Sequence, residues 1–131
     1  EKEEFDYAFA ISAPIARVEE EKMRRTVDFQ KGQEALSYFN VLNYFPKKNY
    51  SLLQLQLATG RTHQIRVHLA YLSCPLLGDS LYGNSEETVF SQNIGLSRQA
   101  LHSYSISFTH PIHKEKMYFQ QELPEELAAL L

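Results

Sequence analysis

Hydrophobic and polar residues alternate in several segments of the chain, a period of two that is typical of half-buried β-strands. In residues 5–11 the odd positions are aromatic or apolar, and Pro14 follows, so we expect a strand that ends before this proline. In residues 50–57 three leucines alternate with glutamines. Residues 35–45 are rich in aromatic and β-branched side chains, and the polar residues 46–49 between these segments predict a hairpin turn.

Further segments complete a mixed pattern of strands and helices. Residues 26–30 form a short strand candidate, and residues 104–108 and 117–121 predict a second hairpin with its turn at His110 and Pro111. After Gly60 the apolar period changes to steps of four and three, which predicts an amphipathic helix over residues 62–73 with Thr62 as its N-cap. We expect residues 85–99 to be loop with a short helical turn, and residues 124–131 to begin a helix with proline and acids in its first turn. The predicted fold class is α+β, with a mainly antiparallel sheet and a few helices.

Composition places this chain among globular proteins of one domain. It has 131 residues, of which 44% are hydrophobic, and its longest apolar runs contain five residues, far fewer than the roughly 20 that span a bilayer. We therefore expect no membrane partner, and the acidic first residues carry no secretory signal. A single cysteine, Cys74, excludes an intrachain disulfide, so a reducing, cytoplasmic location is expected, with Cys74 as a small buried filler.

Charge is distributed unevenly along the sequence. The net charge is −3, but residues 22–68 hold eight basic residues against two acidic ones, and the remainder holds five against fourteen. A polyanion responds to the field within about 8 to 10 Å more than to the sum over the molecule. The sequence is therefore compatible with a basic face that binds nucleic acid, although solvated cations on strand edges would give the same count.

The densest polar segment is GRTHQIRVH, residues 60–68, where a strand is predicted to give way to a helix. Cations are unfavourable at a helix N-terminus, so we expect a bound anion, or a carboxylate from elsewhere in the fold, to hold Arg61 and Arg66. A surface helix with cations on its solvent face is the simpler alternative. His63 and His68 lie on different helical faces, and there is no HExxH arrangement or cysteine pair, so no metal is expected.

This segment and its flanks resemble the RluA-type (ribosomal large subunit type) RNA pseudouridine synthases. The resemblance rests on GRTHQIRVHLA at residues 60–70, PLLGD at residues 75–79 and LYG at residues 81–83. It extends upstream through APIAR, MRR and KGQEA, and downstream through QALH, FTHP and the Leu123-Pro124 exit. It implies that residues 1–131 are the C-terminal portion of a pseudouridine synthase catalytic domain.

The family's nucleophilic aspartate lies in an HRLD-type motif, and no HRLD occurs in these 131 residues. We therefore expect this chain by itself to be inactive, and the intact protein to isomerise uridine to pseudouridine in RNA without a cofactor. The implied partner is structured rRNA or tRNA. The alternative is a non-catalytic RNA-binding module built from the same half-fold, and an HRLD-type segment upstream of Glu1 would decide for the enzyme.

The resemblance also implies a role for individual residues. Arg66 matches the arginine that pairs with the catalytic aspartate, and Ile65 and Leu101 would line the pocket of the target base, unless they are plain core residues. Arg61, His63 and Gln64 match positions that fix the loop and contact the RNA backbone. Asp79 is expected to brace the turn at residues 78–83 and His102 to be a buried, hydrogen-bonded histidine. Candidate contacts to RNA phosphates are Lys22, Arg24 and Arg25.

Overall fold

A computed structural model describes residues 7–131 of the chain. It contains seven strands and three helices. In chain order they are β1 (Phe9–Ser12), β2 (Ile15–Arg17), β3 (Arg25–Val27), β4 (Leu36–Phe45), β5 (Tyr50–Leu57), α1 (Gln64–Tyr71), α2 (Ser85–Asn93), β6 (Ser105–Thr109), β7 (Lys116–Gln120) and α3 (Glu125–Ala128). The predicted α+β class is confirmed, and all pairings between these strands are antiparallel.

The largest sheet has three strands in the order β1-β4-β5. Its long hairpin, β4 and β5, turns at residues 46–49 as the polar run there predicts, and its register shifts between Val41 and Asn43. On β5, Leu53 and Leu55 are half-buried while Gln54 and Gln56 are exposed, which confirms the predicted alternation over that part of the strand. The strand predicted over residues 5–11 begins at Phe9 in the structure, and its first two residues lie outside the described part of the chain.

The hydrophobic core lies where the β2–β3 hairpin meets α1. Ile15, Ala35 and Val67 are buried together, and Val27 and Tyr82 pack against them. This arrangement holds the start of α1 against the hairpin and against the loop that contains Tyr82. The core therefore fixes the position of the polar motif at residues 60–68.

Two predictions about the helices were wrong in detail. Thr62 does not cap α1, because the N-cap position is occupied by His63 in a left-handed conformation, with φ of 57°, and no side chain caps the helix. The segment predicted as loop with a short helical turn contains α2, which begins at a side-chain cap, Asn84, with two glutamates in its first turn. These residues favour a helix N-terminus. The helix was not predicted at its full length because the segment has too few apolar residues to show a helical period.

The second predicted hairpin, β6–β7, is present, and the C-terminal helix α3 begins after Pro124. Large apolar side chains of this hairpin are exposed, among them Ile106, Phe108 and Phe119. Cys74 is also exposed, so its predicted role as a buried filler was wrong. Helix α1 ends at Tyr71, two residues earlier than predicted and well before Pro75, and the residues just before this proline lie on the surface. In residues 7–131 no helix is long and apolar enough to cross a membrane.

Candidate active site

The start of α1 lines a cavity of about 390 Å³, a volume within the range of small-ligand pockets. The sequence motif supplies five of its lining residues, and the segment after α2 supplies two. These lining residues are Arg61, His63, Gln64, Ile65, Arg66, Gln99 and Leu101, together with Leu57 at the end of β5. All six residues predicted for catalysis or substrate binding thus line one cavity, which we call the base cavity.

Arg66 is held by a bidentate ion pair with Asp79. Its Nε donates to Asp79 Oδ2 at 2.9 Å and its Nη2 donates to Oδ1 at 2.8 Å. The Asp79 side chain is fully buried, and that of Arg66 is 16% exposed. Asp79 is therefore the carboxylate, expected from elsewhere in the fold, that offsets a cation near a helix start.

Asp79 also braces its own turn, as the sequence predicted, because the backbone N–H groups of Leu81 and Tyr82 donate to Oδ1. Burial by itself would raise the pKa of Asp79. The hydrogen bonds from Arg66 and the two backbone groups outweigh burial, and the pKa lies below its ordinary value. The same hydrogen bond raises the pKa of Arg66. Both groups are consequently charged at neutral pH.

Tyr82 connects three cationic residues around this pair. The Arg66 guanidinium lies 5.1 Å from the Tyr82 ring centroid and that of Arg24 lies 5.8 Å from it. The Tyr82 hydroxyl accepts from the Arg25 backbone N–H, so its own proton is available to His63 Nδ1, 2.9 Å away. Burial, followed by the charges of Arg66 and Arg25, lowers the pKa of His63. This histidine is therefore neutral at pH 7, and the bonding assigns its proton to Nε2.

Gln64 is buried and its amide makes four hydrogen bonds within the fold. The amide oxygen accepts from the Thr59 hydroxyl and the Arg61 backbone N–H, and the amide nitrogen donates to Leu36 O and Ser37 Oγ. This bonding fits the loop-fixing half of its predicted role. It ties the motif loop to the first residues of β4.

The same network continues to His68, which is fully buried on α1. Its Nε2 lies 2.9 Å from Ala13 O, an acceptor, so Nε2 carries the proton and Nδ1 accepts from the Ser37 hydroxyl at 2.8 Å. Burial lowers the pKa of His68, so the ring is neutral. Sequence spacing showed only that His68 and His63 face different ways, and the structure shows that His68 is a structural residue.

Ile65 and Leu101 are half-buried and line the base cavity. Leu57 and Gln99 also line it and were missed by sequence reasoning, because the pattern placed Leu57 on a strand face and Gln99 in a loop. His102 is half-buried, and its Nε2 bonds to Gln121 O at 2.8 Å, as predicted for a hydrogen-bonded histidine.

The three candidate phosphate contacts lie in different surroundings. Arg24 is engaged internally, since its Nη2 donates to Leu81 O and its Nε lies 2.9 Å from the Glu21 carboxylate. Arg25 is half-buried and lines a second cavity, whereas Lys22 is exposed in the β2–β3 loop. Within residues 7–131 no group of three or more His, Cys, Asp or Glu side chains could hold a metal ion.

The model of the RNA pseudouridylate synthase family matches residues 3–71, which is more than half of the chain and includes the whole motif at residues 60–68. The chain belongs to this family. It is 44% identical to the uncharacterized RNA pseudouridine synthase YjbO of Bacillus subtilis over 92% of its length, and 37% identical to the ribosomal large subunit pseudouridine synthase D of Zymomonas mobilis over 92%. The chain spans 39% and 38% of these relatives, respectively.

Two solved structures share the fold of this chain. The human RNA pseudouridylate synthase domain containing 1 superposes with a TM-score of 0.72 and 26% identity, covering 88% of this chain and 48% of that one. The human RNA pseudouridylate synthase domain containing 4, at 21% identity and a TM-score of 0.66, shows the fold alone. The resemblance inferred from the motif is thus confirmed by sequence and by structure.

Proposed function

We propose that the full-length protein containing this chain isomerises uridine to pseudouridine in RNA, and that residues 1–131 form the C-terminal portion of its catalytic domain. The observation that carries the proposal is the way Arg66 is held at the base cavity. Asp79 binds Nε and Nη2, and within residues 7–131 no acceptor binds Nη1. One edge of a fixed guanidinium is thereby available for a second carboxylate.

In the reaction the glycosidic bond to N1 breaks, the base rotates, and a C–C bond forms at C5; C5 then loses its proton and N1 gains one. No cofactor enters this balance, because the product is an isomer of the substrate. The nucleophilic carboxylate would come from an HRLD-type segment elsewhere in the protein. A guanidinium within about 4 to 6 Å lowers a carboxylate pKa by roughly 1 to 3 units, so Arg66 would keep this nucleophile ionised.

Each residue of the base cavity takes a role that its surroundings support. Ile65 and Leu101 supply apolar surface against which a flipped uracil can lie, in place of the base stacking that it leaves. Arg61 is exposed and its Nε donates to Glu34 O at 2.7 Å, so the rest of its guanidinium can reach a backbone phosphate. His63 presents a neutral ring with a proton on Nε2. Gln64 fixes the loop that carries both.

The substrate is proposed to be structured rRNA or tRNA, and the protein to act in the cytoplasm. The names of relatives such as the Zymomonas mobilis ribosomal large subunit synthase support rRNA. A single exposed cysteine and the mixture of basic and acidic surface are compatible with this setting. RNA binding without catalysis would follow only if the full-length protein has no HRLD-type segment.

The test is tritium release from C5-tritiated uridine in RNA by the full-length protein. Arg66→Ala should abolish turnover, and Arg66→Lys should reduce it strongly, because lysine keeps the charge but loses the planar fork. Lys116→Ala, an exposed residue on β7, is the matched control and should behave like the parent. The 131-residue chain alone should release no tritium. Full turnover by a folded Arg66→Ala protein would contradict the assignment.

A further inference from the structure

A second cavity, of about 380 Å³, adjoins the base cavity and is lined by four basic side chains. Arg17 and Arg25 come from the β2–β3 hairpin, Lys31 from the segment after it and Arg61 from the motif loop, with Gln33 and Thr62 between them. No aspartate or glutamate among the described residues lines it. We call it the cationic cavity.

Two of these arginines are placed against each other by the strand register. Arg17 and Arg25 are direct partners in the antiparallel β2–β3 pair, so their side chains leave the same face at neighbouring positions. Like charges directly opposite each other destabilise a sheet. Among residues 7–131 neither arginine forms an ion pair with a carboxylate, and Lys31 has only a 3.7 Å contact with Glu19 between two exposed side chains. The Arg25 guanidinium donates only to the backbone carbonyls of Lys22 and Arg24. Two like charges that face each other without a carboxylate partner cost stability in the free protein, and this arrangement points to an anionic ligand.

The place of the cationic cavity in the fold indicates which anion it can bind. Arg61 lines both cavities, so whatever fills the cationic cavity lies beside the base cavity. A nucleotide whose base enters the base cavity carries a phosphodiester on each side, and one of these would reach the four cations. We propose that the cationic cavity binds a phosphate of the RNA strand next to the flipped uridine, through Arg17, Arg25, Lys31 and Arg61.

This site rests on the proposed function for the identity of its ligand, but it differs from the contacts expected from sequence. Arg25 and Arg61 belong to both sets, whereas Arg17 and Lys31 are new. Arg17 lies outside the basic stretch of residues 22–68 and is recruited by the hairpin register. Arg24, by contrast, is directed to Leu81 O and to the Glu21 carboxylate, so its charge is already offset within the fold. The site therefore adds Arg17, which charge counting alone does not select, and leaves out Arg24, which it does.

The experiment measures the affinity of the full-length protein for a fluorophore-labelled oligouridylate by anisotropy at increasing KCl. Affinity for RNA falls as salt rises. Losing one phosphate contact should make the slope of log affinity against log salt shallower by about 0.7 for a single strand. We expect that loss for Arg17→Gln and a larger one for Arg17→Gln combined with Lys31→Gln. Lys116→Gln removes a cation on the separate β6–β7 hairpin and should leave the slope unchanged.

Charge reversal separates ligand binding from a structural role. Arg17→Glu places a carboxylate opposite Arg25, so the melting temperature of the free protein should rise while RNA affinity falls. A structural role for Arg17 would instead lower both. Arg17→Gln should raise the RNA concentration that gives half-maximal pseudouridine formation, because the residue positions the strand without touching the reacting atoms.

The two proposals fail in different ways. If the variants keep the parent's salt slope while the parent forms pseudouridine, the cationic cavity is not a phosphate site and the isomerase proposal stands. If the parent forms no pseudouridine but the slopes fall as expected, the phosphate site stands and the isomerase proposal does not. A fall in both melting temperature and affinity for Arg17→Glu would overturn the phosphate site.

Discussion

Helices α1 and α2 are of nearly equal length but begin in opposite ways. At α2, the Asn84 side chain accepts from the Glu87 backbone N–H, and the first turn carries two glutamates that favour the helix dipole. At α1, the N-cap residue is His63 in a left-handed conformation, no side chain caps the helix, and the first turn contains no acid. Non-glycine residues rarely adopt such a conformation, which carries an energetic cost.

The difference shows that the first turn of α1 is held by its surroundings, whereas that of α2 is favoured by its own side chains. Asp79 offsets the charge of Arg66, Tyr82 bonds to His63, and Gln64 and His68 anchor the helix to the sheet. Departures from local preference of this kind concentrate at functional sites, where other parts of the fold stabilise them. The start of α1 is the part of the molecule on which the proposed chemistry depends.

The largest expected effect comes from removing the carboxylate that stabilises the start of α1. Asp79→Ala leaves the Arg66 guanidinium without its buried partner and removes the acceptor of two turn N–H groups. Breaking a buried ion pair costs about 3 to 5 kcal/mol, and we expect the free energy of unfolding of the full-length protein to fall by a value near that range. Urea denaturation measures it.

The matched control for this variant is Glu86→Ala. Glu86 is exposed in the first turn of α2 and contributes through the helix dipole, so its loss should cost no more than about 1 kcal/mol. Equal losses for the two variants would show that Arg66 and Asp79 do not depend on each other.

An intermediate effect is expected from pH. The folded-state pKa of His68 lies below its ordinary value of 6.5, so protonation favours the unfolded state. Its contribution is therefore fully present above about pH 6.5 and is lost as the pH falls below that value. The loss is at most about 1.4 kcal/mol for each pH unit and ends at the folded-state pKa.

The measurement is urea unfolding of the parent and of His68→Gln between pH 7 and 5. Glutamine can retain a donor and an acceptor but does not titrate, so the variant should lose less stability on acidification. His63→Gln is a necessary companion, because the pKa of His63 is lowered as well and acts in the same direction. An unchanged pH dependence in His68→Gln would refute the contribution of His68.

The smallest expected changes in stability come from substitutions at the N-terminal ends of α1 and α2. Asn84→Ala removes the cap of α2 and should lower the free energy of unfolding by about 1 kcal/mol. Thr62→Ala tests the position that sequence alone selected as the cap of α1, and it should change stability by less than about 0.5 kcal/mol. A larger loss for Thr62→Ala than for Asn84→Ala would reverse the comparison.

Local pattern was sufficient for much of the fold. The β4–β5 and β6–β7 hairpins follow from alternation and from polar turns between the strands, both of which are short-range properties. Helix α2 could have been found from Asn84 and the glutamates after it, but its few apolar positions gave no helical period. The predicted burial of Cys74 was wrong because the exposure of a residue depends on what packs over it and not on its type.

The sequence by itself determined the strands, the hairpins and the motif at residues 60–68, and the family to which the motif belongs. Tertiary structure decided which charges meet. Arg66 and Asp79 are thirteen residues apart and come together only when the loop after α1 folds back. Arg17 and Arg25 oppose each other only in one strand register. Charges act through space and leave no periodic trace along the chain, so these pairs could not be inferred before the fold was known.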